Sequence, residues 1–151
     1  MNNAQNIFAK RLRLAVKEST VLVQEYAQNN HRYTSYSSEL EKSVMMRLLA
    51  NGLTGEVYLD TSVAEYGPFV HEGTKAHMIF PKNKKALRWF EGSNVEIFSK
   101  RVHHPGTRKD PFLYNALKAK TADINAIFAK HTGKAVDDIA GSIRNRVYTW
   151  R

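Results

Sequence analysis

The sequence predicts an α+β fold: an N-terminal helical hairpin and C-terminal helices packed on a small, mainly antiparallel sheet, with a projecting basic hairpin or loop. Three observations carry this expectation. Apolar residues recur at helical spacing in the first and last thirds of the chain. The middle third changes to strand-like alternation broken by Gly, Pro and Asn. A run of lysine and arginine falls inside that middle third. A length of 151 residues suits one domain, organised as a hairpin over 1–52, a sheet with its basic segment over 55–105, and helices over 110–151.

Residues 4–29 read as a long amphipathic helix. Phe8, Leu12, Ala15, Ser19, Leu22, Val23 and Tyr26 fall on one face, and Lys10, Arg13, Lys17 and Gln24 on the other. Asn29-Asn30 ends it, because short polar side chains compete for the backbone. A second helix is expected after Tyr36. Ser38 and Glu41 have capping-box spacing, Leu40, Val44, Leu48 and the Met45/Leu49 pair form its apolar face, and Asn51-Gly52 stops it.

Glu56–Asp60 alternates as a half-buried strand does. His77–Phe80 is a short apolar run ending at Pro81, Ala86–Phe90 is another, and Val95–Phe98 leads on to Arg101-Val102. Asn83-Lys84 and Gly92-Ser93-Asn94 are turn signals. Between the first two strands, Val63, Tyr66, Phe69 and Val70 fit a short helix within 62–74, in which Pro68 is tolerated only in the first turn. Asp110 is a good N-cap and Pro111 a good first helical residue. Leu113, Leu117, Ile124, Ile127 and Phe128 then form a buried stripe that stops at Thr132-Gly133. A last helix from Ala135 to Val147 presents Val136, Ile139, Ala140, Ile143 and Val147, and the tail carries Tyr148 and Trp150.

Composition narrows the function classes. The chain has no cysteine, 42% hydrophobic and 25% charged residues. Thiolate chemistry, cysteine-based zinc sites and disulfide frameworks are excluded. No apolar run reaches the roughly 18 residues of a membrane span, and the first residues lack a secretory h-region, so a cytoplasmic protein, or one packed into a particle assembled there, is expected. The net charge is +9. Lys75, Lys82, Lys84, Lys85, Arg88, Lys100, Arg101, Arg108 and Lys109 are opposed only by Glu91 and Glu96 in their stretch of the chain, a local charge of +7. Such a field attracts phosphate or an acidic protein face.

Catalytic patterns are absent from the sequence. His71, His77, His103 and His104 invite a metal reading, yet neighbouring strand residues point to opposite faces and no familiar ligand spacing occurs. Glu56, Asp60, Glu65, Glu72, Glu91 and Glu96 form no compact carboxylate motif of the kind a metal nuclease needs. Neither a glycine-rich phosphate loop nor a Gly-x-Ser-x-Gly elbow is present. A non-enzymatic protein without cofactor is the expectation.

Two segments are more distinctive. One is Tyr66-Gly67-Pro68-Phe69-Val70-His71-Glu72-Gly73-Thr74, followed by His77-Met78-Ile79 and Pro81-Lys82. The other is His104-Pro105-Gly106-Thr107, then Asp110-Pro111-Phe112-Leu113 and Ala116-Leu117. In this order the chain resembles the small tail-component family of long-tailed bacteriophages, whose members lie between portal and tail and include tail-completion and head–tail joining proteins. The resemblance covers about Val57–Leu117. Gly67 departs from the alanine the family often has there, and Glu72 from an aromatic; both bear on the branch of the family.

The resemblance implies a structural virion protein, assembled in the host bacterial cytoplasm. Its expected partners are copies of itself in a ring, six-fold favoured and twelve-fold the neck alternative, with neighbouring connector and tail-tube or tail-terminator proteins. Double-stranded DNA would pass non-specifically through the channel. Lys82, Lys84, Lys85, Lys100 and Arg101 are the candidate basic surface facing DNA or a partner. Tyr66, Pro68, Phe69, His71, Gly73, Thr74, His104, Pro105, Gly106, Pro111 and Phe112 are candidates for the subunit interface or, for the aromatic members, the core. The competing expectations are a nucleic-acid-binding protein acting outside any particle, with Trp89, Phe90 and Phe98 stacking on bases, and a metal-dependent hydrolase built on the four histidines.

Overall fold

The computed structural model describes residues 3–35, 37–92 and 95–148. The fold is α+β. Its elements are α1 (Asn3–Asn29), α2 (Glu39–Ser43), β1 (Val44–Leu49), a 3-10 turn (Ala50–Gly52), β2 (Thr54–Leu59), α3 (Gly67–Glu72), β3 (His77–Ile79), β4 (Leu87–Glu91), β5 (Val95–Ser99), β6 (Val102–His104) and α4 (Phe112–Tyr148). At 1.5 Å per residue, α1 is about 40 Å long and α4 about 55 Å.

α1 and α4 run antiparallel, and pairs of side chains mark the register along them. Arg11 donates to the Asp138 carboxylate at 2.7 Å. Glu18 receives Lys130 at 3.1 Å and His131 at 2.8 Å. The Lys120 ammonium sits 4.9 Å over the Tyr26 ring. Beneath this seam Val23 and Ala27 join Leu40, Val44, Ala64, Phe112 and Ala116 in the core. The expected face of α1 is correct in its centre, with Ala15, Ser19 and Val23 buried, but Phe8 is exposed. Gln24, expected on the polar face, turns inward to donate to the Val44 carbonyl at 2.9 Å.

The helical hairpin expected over 1–52 is corrected to a helix followed by a strand. α2 is five residues long. Ser38 makes no side-chain cap and has φ 56°, so the capping-box reading fails. From Val44 the chain is extended and pairs antiparallel with β2, Val44 opposite Leu59 and Leu49 opposite Thr54. The physical reason is non-local. The ladder with β2 supplies backbone partners that an isolated short helix lacks, and the Gln24 and Gln28 amides fix the Val44 carbonyl from α1. Asn51 (φ 55°) and Gly52 (φ 84°) turn a hairpin here and do not end a helix.

The expected strands and short helix in the middle are present, α3 with its proline in the first turn. They form three two-stranded antiparallel ladders, β1-β2, β3-β6 and β4-β5, in place of one sheet. The C-terminal half is also corrected: two helices expected around Gly133 are one helix of 37 residues. A helical glycine costs only about 1 kcal/mol against alanine, and the contacts with α1 continue across it, through His131 before and Asp138 after. The tail aromatics Tyr148 and Trp150, Val147 of the last apolar face, Tyr36 before α2 and the Ser93-Asn94 turn lie outside the residues or side chains described.

Candidate functional site

Topology turns β3 to β6 into one interrupted ribbon. His77 faces His104 and Ile79 faces Val102 in the lower ladder. Leu87 faces Ser99 and Glu91 faces Val95 in the upper one. Between them, residues 80–86 on one strand oppose only Lys100 and Arg101 on the other. With about 3.3 Å per strand residue, the ribbon from Thr107 to Val95 reaches up to roughly 40 Å.

The ribbon's base is a backbone clasp built from the two distinctive segments. Thr74 N–H donates to the Thr107 carbonyl at 2.9 Å, and Thr107 N–H returns to the Thr74 carbonyl at 3.1 Å and to the Thr74 hydroxyl at 2.9 Å. Glycine is required on both sides. Gly73 has φ 73°, and a Cβ there would lie 2.8 Å from the Lys109 nitrogen and 2.9 Å from the Thr107 carbonyl. Gly106 has φ 92°, and a Cβ there would run into the Thr74 carbonyl. The Gly106 N–H donates to His104 Nδ1 at 3.1 Å, closing the turn after Pro105. Outside the clasp, Lys109 donates to Glu72 at 2.8 Å. This contact comes first, and His71 second, in holding the Glu72 carboxyl below its usual pKa.

Asp110 does a different task from the N-cap expected of it. α4 begins at Phe112, and the buried Asp110 carboxylate accepts the Arg32 and Tyr33 backbone N–H groups at 2.6 and 3.1 Å. It therefore ties the α1–α2 loop to the ribbon base, and its own N–H donates to the Val70 carbonyl at 3.0 Å. Phe112, fully buried, meets Tyr33 and His71 edge-on, each at 5.3 Å between ring centres. Burial, and then the charges of Glu41 and Asp110, push the Tyr33 phenol above its usual range.

The aromatic candidates thus divide. Phe112 and His71 are core, Pro68 and Pro111 half-buried, and Tyr66 and Phe69 face solvent. The histidines considered as metal ligands do not gather. His77 and His104 are register partners with rings 5.1 Å apart, His71 is buried and contacts the exposed Glu72 carboxylate, and His103 is opposite Met78. Among the described residues no group of three or more His, Asp or Glu is placed to hold a metal.

Lys82, Lys84 and Lys85 are exposed in the bulge, and Lys100 and Arg101 are exposed directly across from it. The ribbon therefore carries a basic collar at its midpoint. Of the three charged residues of the upper ladder, Arg88 pairs with Glu96, and Glu91 is exposed at its far end opposite Val95. Beyond the collar, Phe90 and Phe98 are each 62% exposed and Val95 64%. Sequence reasoning identified the cations and aromatics; it did not identify their arrangement as collar and tip, which depends on the strand register.

The chain presents 11210 Å² of accessible surface, where a compact monomer of 17.2 kDa presents about 7,800 Å². Among the described residues the ribbon's upper ladder makes no substantial contact outside itself, and Val136 and Ile143 are exposed toward the far end of α4. Searches against family models, curated proteins and solved structures found no match for this chain.

Proposed function

We propose that this chain is a structural virion protein of a tailed bacteriophage or prophage, a ring subunit at the head–tail neck or tail end, around the DNA channel. The observation that carries the reading is the ribbon: a finger with exposed phenylalanines and a basic collar, hydrogen-bonded at its base and lacking, among the described residues, a substantial partner in its own chain. An isolated two-stranded hairpin is marginal in water. Its exposed aromatics and the surplus surface suit a subunit completed by neighbours. Identical subunits meeting head-to-tail close into a ring when the rotation permits.

The mechanism is assembly. The clasp fixes the angle at which the ribbon leaves the body, and Asp110 links that base to α1 and α4. The collar of Lys82, Lys84, Lys85, Lys100 and Arg101 offers phosphate attraction without base readout, which lets DNA pass in any sequence. The resemblance of the Tyr66–Thr74 and His104–Leu117 segments to phage tail components points the same way. The test is negative-stain electron microscopy of particles made with this gene deleted. DNA-filled heads separated from complete tails are expected. Long or missing tails would move the role to tail assembly, and intact infectious particles would overturn it.

A second reading is favoured by the nearness of exposed Phe90 and Phe98 to the collar: a non-sequence-specific nucleic-acid-binding protein outside any particle, with rings stacking on bases. Tight binding to single-stranded DNA, lost on replacing both phenylalanines, would favour it over the ring subunit.

A further inference from the structure

An open groove of about 700 Å³ lies between α1, β2 and α4. Val57, Leu59, Tyr114, Leu117 and Phe128 are among its walls, and among the described residues no Asp, Glu, Lys or Arg lines it. Two buried polar atoms of lining residues, Ser19 Oγ and His71 Nε2, find no hydrogen-bond partner among the described residues. The His71 ring is fixed from its other nitrogen, Nδ1, which contacts the Glu72 carboxylate at 2.8 Å. Leu117 and Tyr114 remain 53% and 63% exposed at the rim. Such a surface is apolar and roomy, with large apolar side chains left exposed at its rim, the mark of a binding face.

The same chain carries a finger of matching chemistry. Arg88, Phe90, Glu96 and Phe98 share one face of the upper ladder by register. The Arg88 guanidinium lies 5.4 Å from the Phe90 ring centre and pairs with Glu96. That face therefore offers two phenyl rings and an already neutralised ion pair, so its burial strands no lone charge. A cavity of roughly 150 Å³ holds one benzene ring, which leaves ample space for both rings in the groove. The outer edges of β4 and β5 also carry unpaired backbone N–H and C=O groups. The surplus of accessible surface over a compact monomer is about 3,400 Å². A subunit with one donor and one acceptor interface of standard size would bury about 1,600 Å² of it.

We propose that the β4–β5 hairpin of one copy seats Phe90 and Phe98 in the α1–β2–α4 groove of a second copy. The contact is heterologous, finger into groove, and repeats around a ring. It rests on the ring-subunit reading and specifies the contact that reading requires.

The absence of native cysteine makes the test direct. F98C and L117C chains are purified separately and mixed under mild oxidation, with K134C, at an exposed helical position outside the groove lining, as control. An inter-chain disulfide is expected in the F98C plus L117C mixture, well above the F98C plus K134C mixture. Sedimentation of the F90S/F98S chain should show self-association weakened more than about tenfold, with its melting temperature nearly unchanged because both rings are exposed. Self-association without the specific disulfide overturns the finger-in-groove contact and leaves the ring reading standing. A chain that stays monomeric at its highest soluble concentration also overturns it, and the ring reading then depends on particle morphology. A small apolar adduct retained in native mass spectra, lost in L117C and unaffected by F90S/F98S, would assign the groove to a ligand and overturn the inference.

Discussion

Replacing Gly73 by alanine probes the clasp that aims the ribbon. The new Cβ would lie 2.8 Å from the Lys109 nitrogen and 2.9 Å from the Thr107 carbonyl, both backbone atoms that cannot swing aside. Gly73 has ψ 167°, and holding alanine in this nearly glycine-only region of positive φ and extended ψ costs about 1–3 kcal/mol. Relieving the clash means opening the Thr74–Thr107 pair, whose two backbone bonds of 2.9 and 3.1 Å contribute about 0.5–1.5 kcal/mol each. The expected loss is about 2–6 kcal/mol. A domain of this size loses about 2–4 °C per kcal/mol, so thermal unfolding should shift down by roughly 4–24 °C. Gly133→Ala is the counterpart. It sits in α4 with nothing within 4 Å of the new Cβ, and helix propensity should raise stability by about 0.8–1 kcal/mol. Circular dichroism melts of both variants read the difference. A Gly73→Ala chain melting within two or three degrees of the parent would refute the clasp argument, as would equal losses at the two glycines.

Phe112→Ala should cost about 3–5 kcal/mol as a buried aromatic deletion, whereas Phe69→Ala, at a solvent-facing position, should stay within about 0.5 kcal/mol; urea denaturation of the two reads this directly. The Glu72 carboxyl is held below its usual value of 4.5 by Lys109 and then His71. Its contribution is therefore complete above that value and lost as pH falls through the lowered folded-state value. Melting curves between neutral and acid pH should fall less steeply for Glu72→Gln than for the parent, and parallel acid limbs would contradict the assignment. If the collar meets duplex DNA, each phosphate contact contributes about −0.9 to the slope of log K against log salt. Lys84→Gln with Lys85→Gln should then flatten that slope by about 1.8 in filter-binding or anisotropy titrations, and an unchanged slope would remove those lysines from the interface.

What was legible in the sequence followed local chemistry. The periodicity of α1, the alternation at Glu56–Asp60, Pro68 in the first turn of α3 and the Pro105-Gly106 turn are decided by near neighbours, and each is present. The misread elements were decided at long range. Leu40, Val44 and Leu48 have helical spacing, but the same stretch is apolar enough for a strand, and the partner that decides between them is fifteen residues ahead of Val44 at Leu59. Asn51-Gly52 is a hairpin signal as well as a helix stop, and only β2 selects the hairpin. Gly133 resembles a helix end because the contacts with α1 on either side of it, through His131 and Asp138, are invisible in sequence. At the candidate site the same division holds. The five cations and the two glycines were visible as residue types. The collar depends on the seven residues 80–86 facing Lys100 and Arg101, a property of register. The groove could not be anticipated, since its walls come from four separate elements, α1, β2, α3 and α4.

The measurement that bears most directly on the assembly role is quantitative mass spectrometry of purified phage particles from the host that carries this gene. A ring subunit should co-purify with capsid and tail proteins through a density gradient, at a small fixed copy number near six or twelve per particle. Infectious, DNA-filled particles lacking the chain altogether would contradict that role.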